Sequence, residues 1–226
     1  MRILAIDVGG SHVKALATGH TRPVRIASEP TLTAKAMVRG ISQAVADWKF
    51  DVVAIGIPAA VVHGRLASEP RNLGTGWVGF DFRRAFGHPV TLMNDAAMQA
   101  LGSYQGGRML FLGLGTGLGS ALIVDGVLEP MELAHLPYKH DRTYEDDIGE
   151  KGRKRLGNKQ WRRNVIDVVK RLKTALEVDD VVVGGGNAKR LRKLPKGVRF
   201  GSNAYAFTGG YRAWEKAARK RTARRG

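Results

Sequence analysis

Short, wholly apolar runs that end in glycine or in Asn-Asp alternate along this chain with stretches whose apolar residues recur every three or four positions. Residues 2–7 read as a strand ending in Asp7-Val8-Gly9-Gly10-Ser11, and residues 12–18 alternate as the returning arm of a hairpin. A further strand is expected at 24–29. Residues 33–49 carry Ala36, Met37, Ile41, Val45 and Trp48 on one stripe, which predicts an amphipathic helix capped near Thr31 or Thr33. A buried strand at 52–57 and a short outer strand at 61–65 follow, then a glycine-rich loop at 71–77 and a short helix at 80–86. The run at 90–93 predicts another buried strand, broken by Asn94-Asp95 before the helical spacing of residues 96–104.

The same alternation continues in the second half. Strands are expected at 109–114 and 120–124, on either side of Gly115-Thr116-Gly117-Leu118-Gly119, and residues 127–135 extend past the turn at Asp125-Gly126. Residues 141–147 are acidic and 150–159 strongly basic, which reads as an exposed, partly mobile segment. A helix is expected at 161–176, a strand at 181–183 meeting Gly184-Gly185-Gly186-Asn187, a helix beginning at 188–194, a strand at 198–200, and a closing helix at 208–223 with Trp214 inward. Strands alternating with helices predict an α/β protein. A β-hairpin with a glycine tip occurs twice, at 7–10 and 115–119, which implies two half-domains: residues 1–93 with a C-terminal helix of about 208–226, and residues 94–207.

Composition narrows the classes. The 226 residues are 43% hydrophobic, ample for real cores, and no apolar run nears the ~18 residues of a membrane helix. The first ten residues lack a signal peptide's apolar centre, so a cytoplasmic protein is expected. Cysteine is absent, which excludes disulfides and thiolate metal sites. The formal charge is +17, from 37 Lys and Arg against 20 Asp and Glu, and well over half of the basic residues follow Glu150. Such a surface attracts polyanions, or is simply a solvated basic face. Aromatic platforms interleaved with Arg and Lys are sparse, so no specific nucleic acid is expected. The basic stretch after Lys216 reads as a frayed tail.

The candidate chemistry begins at Asp95, a carboxylate at the carboxyl end of a strand, where open α/β sheets place ligands. Asp95 is open to two readings, a general acid-base group or the cap of the helix that follows. Gly115–Gly119 is likewise either an anion cradle or only a hairpin. Asp7 with Gly9, Gly10 and Ser11 suits a phosphate whose Mg²⁺ is held by Asp7 through water, or a tight turn that needs glycine. Asn72 is a candidate for paired contacts to sugar hydroxyls, or a turn former. Glu132 and His135 are close enough to converge on one ligand, and could equally be a metal pair lacking a third member. Gly184, Gly185 and Gly186 offer an amide-lined anion or nucleotide platform.

Taken in order, D-x-G-G-S, R-N-L before a Trp, N-D at a strand end, G-T-G-x-G, E-L-x-H and G-G-G resemble the ROK sugar kinases of the actin-like ATPase superfamily. Among these the resemblance is to bacterial polyphosphate glucokinases, over most of the chain. It implies a two-lobed, ribonuclease H-like fold with a central cleft, and a Mg²⁺-dependent kinase acting on glucose or a related hexose with polyphosphate or ATP as donor. The resemblance makes Asp95 the base that takes the proton from the sugar 6-hydroxyl. It places Asn72, Asn94, Asp95, Glu132 and His135 around the sugar, Gly9, Gly10, Ser11 and Lys14 with Gly115, Thr116, Gly117 and Gly119 around the donor phosphates, and Gly184–Gly186 beside the nucleotide or donor. It also implies a homodimer. Four departures stand out: no cysteine-rich zinc site, no evident match for a further sugar-binding Glu, Ala134 for the usual glycine of E-x-G-H, and Gly74 where an Asp is typical. ROK repressors are the non-catalytic alternative, a sugar or polyanion sensor; they carry an added helix-turn-helix before the first phosphate loop, which here begins at residue 7.

Overall fold

A computed structural model describes residues 1–70 and 72–223, with residues 216–223 described by backbone alone. The Arg of the R-N-L motif, Arg71, and the basic tail's side chains lie outside the described residues. The chain splits into two compact units, Met1–Gly102 with Ala206–Gly226, and Ser103–Tyr205.

The first unit contains β1 (Ile3–Val8), β2 (His12–Ala17), β3 (Val24–Ala27), α1 (Ala34–Ala44), β4 (Val52–Ile57), a two-strand flap of β5 (Val61–Val62) and β6 (Arg65–Leu66), α2 (Phe82–Phe86), β7 (Val90–Asn94) and α3 (Asp95–Ser103). Its sheet has the order β3-β2-β1-β4-β7, antiparallel through the two hairpins and parallel from β1 to β7. Every residue of β4 is buried or nearly so, as a central parallel strand covered on both faces requires. Leu4, Ile6, Val8, Val13, Ala15, Val53 and Ile55 meet Met37, Val38 and Ile41 of α1 in one core. Thr33 caps that helix, accepting from Ala36 N at 3.2 Å. The helix ends at Ala44 rather than at 49, and Trp48 leaves its stripe to stack on His20 with ring centroids 4.0 Å apart. The expected break before Asn94 thus falls ahead of a helix that belongs to the first unit.

The second unit contains β8 (Arg108–Leu114), β9 (Leu118–Val124), β10 (Val127–Met131), α4 (Tyr144–Ile148), α5 (Glu150–Ala175), β11 (Asp180–Gly184) and β12 (Val198–Phe200). Its sheet order, β10-β9-β8-β11-β12, repeats the first in both sequence and strand direction. Corresponding positions match: Asp7 pairs with Lys14 and Gly56 in the first sheet, and Gly113 pairs with Gly119 and Gly184 in the second. A last helix, α6 (Tyr205–Ala223), starts three residues before its expected position, and Trp214 Nε1 donates to Val53 O at 3.1 Å.

Two expectations are corrected. Residues 150–159 are not a mobile segment but the first turns of α5, kinked at Gly157 (φ 72°, ψ 160°). Two of their arginines are paired: Arg153 with Glu150, and Arg155, whose Nη2 lies 2.5 Å from Asp147, a carboxylate 1% exposed that also takes Arg142 Nε at 2.8 Å and Asn164 Nδ2 at 3.2 Å. Residues 188–194 form only a 3-10 turn, Ala188–Arg190, because Leu191 swings to an extended conformation and buries its side chain. Among the described residues no helix is long and apolar enough to cross a membrane.

Candidate active site

In the first unit the candidate residues gather at the carboxyl ends of β1 and β7. Asn94 closes β7, and its Oδ1 accepts from the backbone N–H of Ala96 at 2.9 Å and Ala97 at 3.3 Å, while its Nδ2 donates to Ala59 O at 3.2 Å. Asn94 is therefore the residue that caps α3. Asp95 becomes the first helical residue, accepting through Oδ1 from Ala96 N at 2.9 Å. Of the two readings of Asp95, capping is thereby assigned chiefly to its neighbour.

Asp95 is half-buried, and burial pushes its carboxyl up to about 6 against the pull of N–H donors from Ala96 and its own backbone. Asp7, also half-buried, is pushed up to about 7 by burial first and by repulsion from Asp95 second, with Lys14 pulling it back. Lys14 faces Asp7 across the β1–β2 pair. The turn between these strands is closed by Gly9 N donating to His12 O at 3.1 Å, and a side chain added at Gly10 would meet nothing within 4 Å. An anion can approach that turn unhindered.

Asn72 is exposed on a loop that is firmly tied behind it. Glu69 accepts from the N–H groups of Gly76, Trp77 and Val78 at 3.2, 3.0 and 3.2 Å, and buried Trp77 donates Nε1 to Leu32 O at 3.1 Å. The departure at Gly74 has a packing cause: a Cβ there would lie 2.5 Å from Thr31 O. An Asp does not fit this loop.

In the second unit Gly115 N donates to Gly117 O at 3.1 Å, so the glycine run is the tight tip of the β8–β9 hairpin, with Gly119 already within β9. The stretch is a hairpin, and an added side chain at Gly115 would meet open space. Ser120 Oγ donates to Met131 O at 2.9 Å and accepts from Leu133 N at 3.1 Å, fixing the start of E-L-A-H. Leu133 and Ala134 are buried, leaving Glu132 and His135 exposed on either side. Among the described residues no group of three metal-ligating side chains forms, so these two are not joined by a third ligand.

The structure adds residues that were not singled out. Glu145 N donates to Ala134 O at 3.0 Å, and its Oε2 accepts from Leu118 N at 3.0 Å, so a carboxylate lies between E-L-A-H and the glycine tip. In the sequence it is one residue of an acidic stretch. The signal was the capping box of Thr143 and Asp146, which starts α4 and puts Glu145 in its first turn. Gly184–Gly186 leads into Asn187, whose N–H donates to Leu114 O at 2.9 Å, tying the G-G-G turn to the same hairpin.

Comparison with known proteins identifies the family. A model of the ROK family matches residues 3–129. The chain belongs to the ROK family. The polyphosphate glucokinase of Mycobacterium tuberculosis H37Rv is 28% identical over 210 residues, covering 83% of this chain and 78% of that one. The inorganic polyphosphate/ATP-glucomannokinase of Arthrobacter sp. strain KM has a TM-score of 0.76 at 25% identity, over 96% of this chain and 99% of that one. A ROK family glucokinase from Streptomyces griseus, solved with glucose and AMPPNP, has a TM-score of 0.74 at 17% identity, over 93% and 98%. The twin-sheet architecture is thus the actin-like ATPase fold of the ROK kinases.

Proposed function

We propose that this ROK protein is a sugar kinase that transfers a phosphoryl group from polyphosphate or ATP to the 6-hydroxyl of glucose or a related hexose. Asp95 acts as general base. The observation that carries this reading is the division between Asn94, which caps α3, and Asp95, which keeps a half-buried carboxylate near 6 at a strand's carboxyl end. A group of that affinity is ionised at neutral pH yet takes a proton readily. The relatives whose names state polyphosphate or ATP with a hexose support the substrate class. The enzyme class is phosphotransferase with an alcohol acceptor.

Phosphoryl transfer through a loose transition state leaves the protein mainly alignment and charge to provide. Asp95 receives the hydroxyl proton, with general-base help worth about 10²–10⁴-fold. Asn72, Glu132 and His135 supply exposed polar groups for sugar hydroxyls, and Glu145 adds the further carboxylate that the family pattern calls for. The unobstructed turn at Gly10 and the glycine tip of the second hairpin take donor oxygens, and Lys14 adds a cation beside the first turn.

A Mg²⁺ ion fits the residues present. Asp7 is a half-buried carboxylate whose ionised form is opposed by Asp95 and balanced only in part by Lys14, and Mg²⁺ commonly takes one or two carboxylates with phosphate oxygens and water. Bound there, it would neutralise charge on the donor phosphates.

The test is a coupled assay for glucose 6-phosphate with glucose and mannose as acceptors against ATP and polyphosphate. No product from any pair overturns the reading, as does ordinary turnover by Asp95→Asn. A sugar or polyanion sensor, the alternative, would bind these ligands without turnover.

A further inference from the structure

One buried asparagine in the second unit organises a cluster of arginines beside the glycine turns. Asn187, 8% exposed, donates Nδ2 to Gly115 O at 3.1 Å and to Glu150 Oε2 at 2.9 Å, and its Oδ1 accepts from Arg190 Nε at 3.0 Å. Glu150 holds Arg153 by two parallel bonds, from Nε at 2.8 Å and Nη2 at 2.6 Å. Arg162 Nε donates to Arg190 O at 2.7 Å. Glu150 is the one carboxylate in this set against three guanidiniums, and hydrogen bonds from Arg153 and Asn187 pull it down to about 2, so it stays ionised at any working pH.

The network does two things. It joins the hairpin tip at Gly115, the start of α5 and the Gly184–Gly186 turn through Asn187 and Glu150. It also leaves cationic donors unused: Arg162 and Arg190 each bond through Nε, and among the described residues the Nη atoms of both are without a partner. A purine bound beside a glycine turn needs a flat, largely apolar slot. Planar cations with free forks match phosphate oxygens instead.

We infer that Arg162 and Arg190 take phosphate groups of a linear polyphosphate donor beyond the one transferred, and so set its use relative to ATP. Arg153, fully engaged with Glu150 and with Asn158 Oδ1 at 3.2 Å, is a positioning residue for the cluster. The inference rests on the proposed kinase activity for its donor and names the residues that choose that donor.

The experiment compares kcat/KM for long-chain polyphosphate and for ATP, with glucose as acceptor, in the wild type, Arg190→Gln, Arg162→Gln and Arg190→Lys. Thermal shift with polyphosphate alone is read in parallel. The polyphosphate-to-ATP ratio is expected to fall about tenfold or more in each Gln variant, the polyphosphate shift to shrink with it, and Arg190→Lys to recover part of both. An unchanged ratio overturns the inference, whether both donors suffer equally or neither does. If Arg190→Gln does not fold, Arg162→Gln decides, since its bond to a carbonyl ties no other side chain. A wild type that uses ATP alone and shows no polyphosphate shift overturns this inference and leaves the kinase reading intact. A wild type inactive with every donor, whose polyphosphate shift is still lost in the Gln variants, overturns the kinase reading and upholds the arginine site.

Discussion

Asn94 and Asp95 are equally good helix caps by residue type, and the structure assigns the duty to the first of them. That choice was not legible in the sequence, because it depends on how β7 delivers the chain into α3. Asp95→Asn is expected to lower kcat by about 10²–10⁴-fold with glucose binding retained, measured by steady-state kinetics and calorimetry. The pH dependence follows from the raised carboxyl: kcat/KM should fall as pH drops below about 6, where Asp95 takes up its proton. Stability runs the other way. A carboxylate raised in the folded state favours folding when protonated, and that contribution is fully present below about 4 and lost as pH rises through about 6. Asp95→Asn should therefore raise stability at pH 8 by about 1–2 kcal/mol and leave it unchanged at pH 4, read by denaturant unfolding. The other residues met with mixed legibility. Asp7 and Lys14 could be placed from their hairpin alone, whereas Glu145 and Asn187 owe their positions to bonds with Ala134, Leu118 and Gly115 that no local pattern encodes.

Among the elements, α4 and α5 show why charge runs mislead. Residues 150–159 look like solvated loop because the counter-charge of Arg155, Asp147, stands outside the run. Burial of that carboxylate against two guanidiniums and Asn164 joins the start of α5 to the end of α4. Asp147→Ala leaves two arginines facing a void and should cost about 3–5 kcal/mol, measured as a loss in unfolding free energy. At the other end of the chain, α6 packs with no room to spare: a Cβ at Gly209 would run into the carbonyl oxygen of Met98 in α3. Gly209→Ala should destabilise by about 1–3 kcal/mol, read by thermal unfolding. The strands were legible because buried parallel strands are nearly continuous apolar runs, as β4 and β11 are. The shortened α1 was not, since Trp48 keeps helical spacing while its ring stacks on His20.

For the molecule as a whole, a formal charge of +17 is expected to make capture of the proposed anionic donor depend on salt. Raising salt from about 50 to 200 mM should raise KM for polyphosphate several-fold while KM for glucose, a neutral sugar, stays nearly constant. Both sheets follow one plan, and the row one step in from each hairpin tip shows how differently the plan is used. Where the first sheet sets Asp7 against Lys14, the second sets Gly113 against Gly119, bare backbone at the same address. The first sheet therefore carries a carboxylate and an ammonium at that row and the second carries neither, so the electrostatic pull of Lys14 on Asp7 has no counterpart in the second unit.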